Sequence, residues 1–286
     1  VKGYGRNGEV FALPSGRNAG TLIYNKDIFD KFGVPYPKDG ITWSQLLELN
    51  KTLTRNVDGI QYYGLHPNRA NYLSSQLQLS YFDKNGKANV TTPDWQKVAS
   101  TWKAIHSGYT QPIGKILDVF EKSRTAAMIL RNPSLFTRDN LKLGLNWGQT
   151  TFPVFENGMG PTELGAVIGI TRTSANKDAA FLVMEYFYSM EAEILRSKDT
   201  GQIPVSTSET VQQQFGSARP DLKDKNLAAI FKNKPAQVIY EEYGYIGESV
   251  IQEALDNMVK TNKDINTTLR EAQELIDRKV TAEKAK

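Results

Sequence analysis

TLIYNKDIFDKFGV, residues 21–34, changes period halfway along. TLIY is a short run of apolar, β-branched and aromatic side chains, the composition of a strand. From Asn25 the spacing lengthens: Ile28, Phe29 and Phe32 fall on one helical face, and Gly33 stands where a helix stops. Pro35 and Pro37 keep that helix from continuing. The stretch therefore predicts a strand feeding directly into a helix, with only 20 residues of chain before it to pack against.

The same alternation extends outward. Upstream, GEVFALPSG (8–16) alternates apolar and polar residues and breaks at Pro14 and Gly16, as a short strand and a connector would. Downstream, Thr42-Trp43-Ser44-Gln45 has the form of a capping box, and Leu46, Leu47, Leu49 and Leu53 give the helix its buried stripe. DGIQYYGL (58–65) returns to turn and strand, and DKNG (83–86) is a turn with Asn85-Gly86 suited to positive φ. Thr92-Pro93 opens a helix closed near Gly108, with proline at its first position. A short helix over Val119–Lys122 leads into the strand TAAMIL (125–130), and WGQTTFPV (147–154) and LGAVIGI (164–170) read as strands. Apolar helices follow over 176–189 and from Met190, and the remainder (207–286) reads as helices and loops. The last helix turns Leu269, Ala272 and Ile276 inward. Strands and helices in alternation predict an α/β architecture.

Composition narrows the function classes. The 286 residues include 35 Lys and Arg against 31 Asp and Glu, a net charge of +4, with pI near 9.0 and mean hydropathy −0.46. These charges are interspersed, without a basic run, so a nucleic-acid partner is not expected. No apolar stretch approaches the roughly 20 residues that span a bilayer. The absence of cysteine excludes disulfides, thiol nucleophiles and thiolate-bound metals, and no cofactor is called for.

Most chemical motifs fail on context. GYGRNG (3–8) matches a dinucleotide fingerprint but lacks the preceding strand and following helix, and GYTQPIGK (108–115) has Ile116 where a phosphate loop needs Ser or Thr. His66 and His106 are the only histidines and are far apart, the second ending a helix where a capping role suffices. Glu241 or Glu242 could be half of a glycosidase pair only with a distant partner. DKNG carries too few acidic ligands for calcium. The chain stands out instead for aromatic residues read as lying in or near loops: Tyr62, Tyr63, Tyr72, Trp147, Tyr240, Tyr243 and Tyr245, beside Asn, Arg, Glu and Gln. Flat rings next to planar hydrogen-bonding groups suit sugars, although any one ring alone is better accounted for by packing.

EVFALPSGRNAGTLIYNKDIFDKFGVPYPKDGITWSQLLELNKTLT (9–54) resembles the central signature of the extracellular solute-binding proteins of ABC importers, the family that includes maltodextrin-binding protein. FEKSRTAAMIL (120–130), the block from Thr150 to Ser189 and TGQIPV (200–205) resemble further family blocks, in the family's order. The resemblance implies a two-lobe, periplasmic-binding-protein-like α/β fold closing on a ligand. It places residues 1–16 and 165–205 in a first lobe truncated at its start, and 17–164 and 206–286 in a nearly complete second lobe. The apolar 176–189 helix of that incomplete first lobe would then favour an oligomer.

The resemblance also implies a ligand-binding set: Asn18 in the connector after Leu13-Pro14; Asn68, Arg69 and Tyr72 in the loop opening at His66; and Tyr243 and Tyr245 in YEEYGY (240–245). Arg131, Asn132 and Ser134 occupy the loop where the family often presents a tryptophan, which favours polar or anionic recognition there over stacking. Gly165 falls at a crossover, where backbone freedom accounts for it. The function implied is non-enzymatic capture of a carbohydrate, an oligosaccharide by preference, outside the cytoplasmic membrane by a periplasmic protein or surface lipoprotein that passes it to permease subunits. A peptide or anionic solute, or a hydrolase using Glu241 or Glu242, are the alternatives.

Overall fold

In the computed structural model, which describes residues 5–6, 9–109, 115, 118–132 and 144–286, the opening stretch forms β1 (Thr21–Asn25) and α1 (Lys26–Phe32) without an intervening loop. Asn25 makes the switch: its side chain caps the helix by accepting the Asp27 N–H at 3.0 Å. Gly33 ends the helix in the left-handed region, at φ 62°. β1 is buried along its whole length, so its side chains divide between two faces: Leu22 and Tyr24 join one apolar cluster and Ile23 the other. A strand covered on both faces reads as a continuous apolar run, which is the pattern of TLIY.

α2 (Trp43–Leu53) carries the expected reciprocal capping box between Thr42 and Gln45. β2 (Arg55–Val57) and β3 (Ile60–His66) form a hairpin, followed by α3 (Asn71–Gln76) and α4 (Pro93–Ile105), which has Pro93 in its first turn. A π-helical turn (Asp118–Lys122) precedes β4 (Ala126–Arg131), and β5 (Trp147–Thr150) completes the sheet. Its order is β2-β3-β4-β1-β5. Only the β3–β4 pairing is parallel; β1 runs antiparallel to both β4 and β5. The ends of β3 and β4 and the start of β1 consequently lie at one edge of the sheet.

The main core fills one face, where Phe29, Leu46, Trp95, Trp102 and Leu130 meet the inner sides of α7 (Gly244–Thr261) and α8 (Ile265–Lys284). α8 turns Leu269, Ala272 and Ile276 inward as expected. Burying each such Leu, Ile or Phe is worth about 1.5–3 kcal/mol. The opposite face carries Val119, Phe120, Ile129, Trp147 and Leu222.

Three readings of the sequence are corrected. Tyr62, Tyr63 and Trp147 are not loop residues: they lie in β3 and β5 and are buried. The strands expected over 147–154 and 164–170 shorten to Trp147–Thr150 and Val167–Ile168. Side chains take over the backbone carbonyls there, with Asn233 donating to Phe152 O and Gln76 to Pro153 O. Gly165 is needed for close approach and not for an unusual φ: a Cβ on it would lie 2.0 Å from the Gly16 carbonyl oxygen. Ser134 and parts of GYGRNG and GYTQPIGK lie outside the described residues.

That close approach belongs to three segments running side by side. Leu13-Pro14 pairs antiparallel with Val167-Ile168, Ser15 N–H donates to Ala166 O, and Arg17 N–H donates to Ile203 O. Beyond them lie α5 (Lys177–Phe187), which has no buried residue, and α6 (Met190–Thr200). Phe181, Leu182, Val183 and Tyr186 of α5 are exposed. No helix among the described residues is long and apolar enough to cross a membrane.

Candidate functional site

The loop leaving β3 and the turn leaving β4 emerge at the same sheet edge, next to the connector entering β1. Asn68 holds them together. Its backbone is left-handed, at φ 67°, a conformation asparagine tolerates better than most residues. Its side-chain amide donates to Leu130 O at 3.3 Å and toward the Tyr72 hydroxyl at 3.4 Å. The Tyr72 ring meets Phe152 edge-on at 5.2 Å, and burial pushes its hydroxyl pKa up, so the group stays a neutral donor and acceptor. One strand further, the buried Asn132 donates to the Asn18 side-chain oxygen at 3.1 Å.

The charged groups at this edge come in pairs. Arg131 lies 3.4 Å from Glu121, both largely buried. Burial raises the Glu121 pKa, and the neighbouring Arg131 opposes that shift. Arg69 lies 3.0 Å from Glu248, whose same carboxylate oxygen accepts from Asn71 at 3.0 Å. In the adjoining connector, Arg17 bonds Glu163 at 2.5 Å, with both side chains mostly buried. Amides, hydroxyls and compensated ion pairs are equipped to exchange hydrogen bonds with neutral hydroxyl groups.

Of the residues expected from the sequence, Asn18, Asn68, Tyr72, Arg131 and Asn132 meet at this edge. Arg69 turns toward α7, where the exposed Tyr245 borders the same groove. Tyr243 lies apart from them, packing at the margin of the core with the Lys284 ammonium 5.4 Å from its ring centre. Tyr240 is exposed. Glu241 supports the fold, because its carboxylate accepts the N–H groups of Tyr81 and Phe82 and the Ser80 hydroxyl, tying down that turn.

Sequence reasoning missed Glu121, Asn71, Glu248 and Gln252. Gln252 accepts the Ala70 N–H at 2.9 Å and so completes the attachment of α7 to the loop. The available signal was the polar series Glu248, Gln252 and Asp256, spaced four apart on a helix whose other residues include Ile246, Val250, Ile251 and Leu255.

The family described as bacterial extracellular solute-binding protein matches residues 1–194. A binding protein of Brucella abortus (strain 2308) is 24% identical over 233 residues, covering 73% of this chain and 54% of the relative, so the chain spans about half the length of the curated relatives it matches. Among solved structures, a sugar transporter protein of Rhizobium etli in an open conformation superposes with a TM-score of 0.78 at 20% identity, over 96% of this chain and 74% of that one. An ABC substrate-binding protein of Listeria monocytogenes in complex with cycloalternan gives 0.71 at 17% identity, over 97% and 74%. At these identities the superpositions establish a common fold.

Proposed function

The chain belongs to the bacterial extracellular solute-binding proteins, and from that premise we propose that it is the greater part of a carbohydrate-capturing component of an ABC importer, working outside the cytoplasmic membrane. The observation that carries this reading is the convergence of Asn18, Asn68, Tyr72 and Asn132 at one sheet edge beside arginines matched by glutamates. Such a surface offers many directed hydrogen bonds and little net charge, which suits a neutral polyhydroxylated solute better than an anion or a peptide terminus. The cycloalternan bound by the Listeria protein belongs to the same chemical class, and the Rhizobium protein is described as a sugar transporter.

The three adjacent segments at 13–17, 163–168 and 202–206 act in this proposal as the hinge. They join a second lobe, 17–164 and 206–286, to first-lobe pieces at 1–16 and 165–205. Ligand binding selects the closed arrangement because both lobes contact it only there. Permease subunits receive the closed form, and attachment to the surface is by a lipid anchor or by periplasmic confinement. The protein binds without turnover in this reading: of the two acids the hydrolase alternative could use, Glu241 or Glu242, the first is already bonded to a turn. The exposed face of α5 pairs with a second copy of the chain.

The test is isothermal calorimetry of neutral mono- and oligosaccharides, sugar acids and short peptides, with small-angle scattering of the same samples. Saturable sugar binding with a smaller radius of gyration is the expected result. Binding of sugar acids or peptides alone would overturn the carbohydrate assignment, and an unchanged radius at saturation would overturn the closure.

A further inference from the structure

Two uncommon backbone conformations place Glu121. It sits in the π-helical turn Asp118–Lys122, where the Ser123 N–H reaches back five residues to Asp118 O at 2.8 Å. Arg124, just past that turn, has a left-handed backbone at φ 54°, which a long side chain rarely adopts. A π turn holds one residue more than an α turn, so the side chains after the insertion face a different way. Val119 and Phe120 enter the apolar cluster behind the sheet, and Glu121 is carried into the interior beside them. An apolar residue would pack there without the desolvation cost of a carboxylate. Backbone strain and a buried charge on one turn point to a use other than folding.

The counter-charge is Arg131 at the end of β4, 3.4 Å away. Arg131 follows Leu130, whose carbonyl accepts from Asn68, and precedes Asn132, which bonds Asn18. Its guanidinium also lies close enough to Tyr72 to act on the ionisation of that hydroxyl. The other ion pair at this edge, Arg69 with Glu248, leaves 56% and 35% of its side-chain surface open, against 15% and 6% for Arg131 with Glu121. Solvent screens the first pair far more than the second. The field a solute meets beside the amides is therefore set mainly by Arg131 and Glu121.

We infer that Glu121 is a specificity determinant acting through Arg131: by matching the guanidinium charge it keeps the site selective for neutral saccharides and turns away acidic ones, uronates above all. The inference rests on the carbohydrate reading above and deepens it by naming which saccharides are refused. Glu121 is a positioning residue here, and Arg131 is the group a solute meets. With Glu121 ionised, an incoming carboxylate gives up its hydration to a pair of no net charge. With Glu121 replaced by a neutral residue, the same carboxylate meets a guanidinium no longer matched by that acid, whose fork fits two carboxylate oxygens. A neutral hydroxyl gains much less from the change.

Calorimetry on the full-length protein tests it with three matched pairs: glucose and glucuronate, galactose and galacturonate, and β-1,4-mannobiose and dimannuronate. Wild type should bind the neutral member of a pair at least tenfold more tightly. Glu121→Gln should move the acid-to-neutral affinity ratio at least tenfold toward the acid, and that gain should shrink between roughly 50 and 500 mM sodium chloride. Adding Arg131→Gln to Glu121→Gln should return the ratio to within about threefold of wild type. A purely structural Glu121 would weaken both members together, and that unmoved ratio would overturn the inference. So would a wild type that binds both members alike, or a double variant that keeps the acid preference; each of these leaves the carbohydrate reading standing. A wild type that binds none of the six probes, or the acids alone, would overturn both. Thermal melts check folding, and Glu121→Met, suited to the apolar company of Val119 and Phe120, repeats the test if Glu121→Gln fails to fold.

Discussion

The side-chain amide of Asn132 donates to the side-chain oxygen of Asn18 across 3.1 Å, joining the end of β4 to the connector that enters β1. The residues are 114 positions apart. This bond ties the residue that follows the proposed 13–17 hinge segment to the turn proposed to meet the ligand. Asn132→Ala is expected to cost about 1 kcal/mol of stability, the usual worth of a net hydrogen bond, and about tenfold in sugar affinity. Urea titration and calorimetry of the same preparation separate the two. A stability loss with affinity intact would make the bond a structural one.

Arg17 and Glu163 join two of the three adjacent segments, and Arg17 also stacks 5.7 Å above the Phe231 ring. Burial raises the Glu163 pKa, opposed by the Arg17 charge. Arg17→Ala removes the opposing charge and is expected to cost about 3 kcal/mol at pH 7. A folded carboxyl with a raised pKa binds its proton more tightly than the unfolded chain does, so stability of this variant should recover as pH falls from 7 to 5. Pairing the change with Glu163→Gln should restore most of the loss at pH 7. Urea midpoints at the two pH values decide, and a pH-independent deficit would contradict the account.

Asp39 fastens the short helix carrying Lys232 to β5. Burial alone would raise its pKa, but hydrogen bonds from Lys232, Thr150, Asn226 and the Thr151 N–H outweigh that and lower it from 3.8 to about 2. Because the folded value is the lower one, the contribution is complete above about pH 4 and disappears as pH falls toward 2. Allowing for solvent screening of a partly open site, it amounts to about 1 kcal/mol. Asp39→Asn should therefore flatten the stability profile between pH 4 and pH 2. Chemical denaturation across that range measures it.

Phe181, Leu182, Val183 and Tyr186 expose an apolar face on α5, with between 57% and 69% of each residue's surface open. An apolar stripe of this kind is expected to find a partner. The 286-residue chain should self-associate at micromolar concentration, and Leu182→Glu with Tyr186→Lys should return it to a monomer with a melting temperature within a few degrees of the original. Sedimentation velocity reads both. A wild-type chain that stays monomeric at 100-fold higher concentration would remove the second copy from the proposal.

Local signals carried much of the architecture. Asn25, Gly33, Thr42 and Pro93 act on neighbours within a few residues, and each begins or ends its element where the sequence reading put it. Burial on two faces left weaker traces: Tyr62 and Tyr63 are adjacent, so they point to opposite sides of β3, and both are covered. The ion pairs were illegible because partners such as Arg17 and Glu163 are brought together only by the folded chain. Glu248 was overlooked for a related reason. A glutamate on a helix looks like a solvated surface residue until the loop carrying Arg69 and Asn71 is laid beside it.

Asn68 has a consequence for anyone altering the loop that leaves β3. Its left-handed backbone already restricts the position to glycine or a short polar side chain, before any solute is considered. Variation at 68 is thus a poor route to new selectivity, since most replacements would distort the loop that also positions Tyr72. Backbone geometry is ordinary strand and helix at Arg131 and Glu248, so redesign there is limited instead by their ion pairs with Glu121 and Arg69, which have to be changed with them.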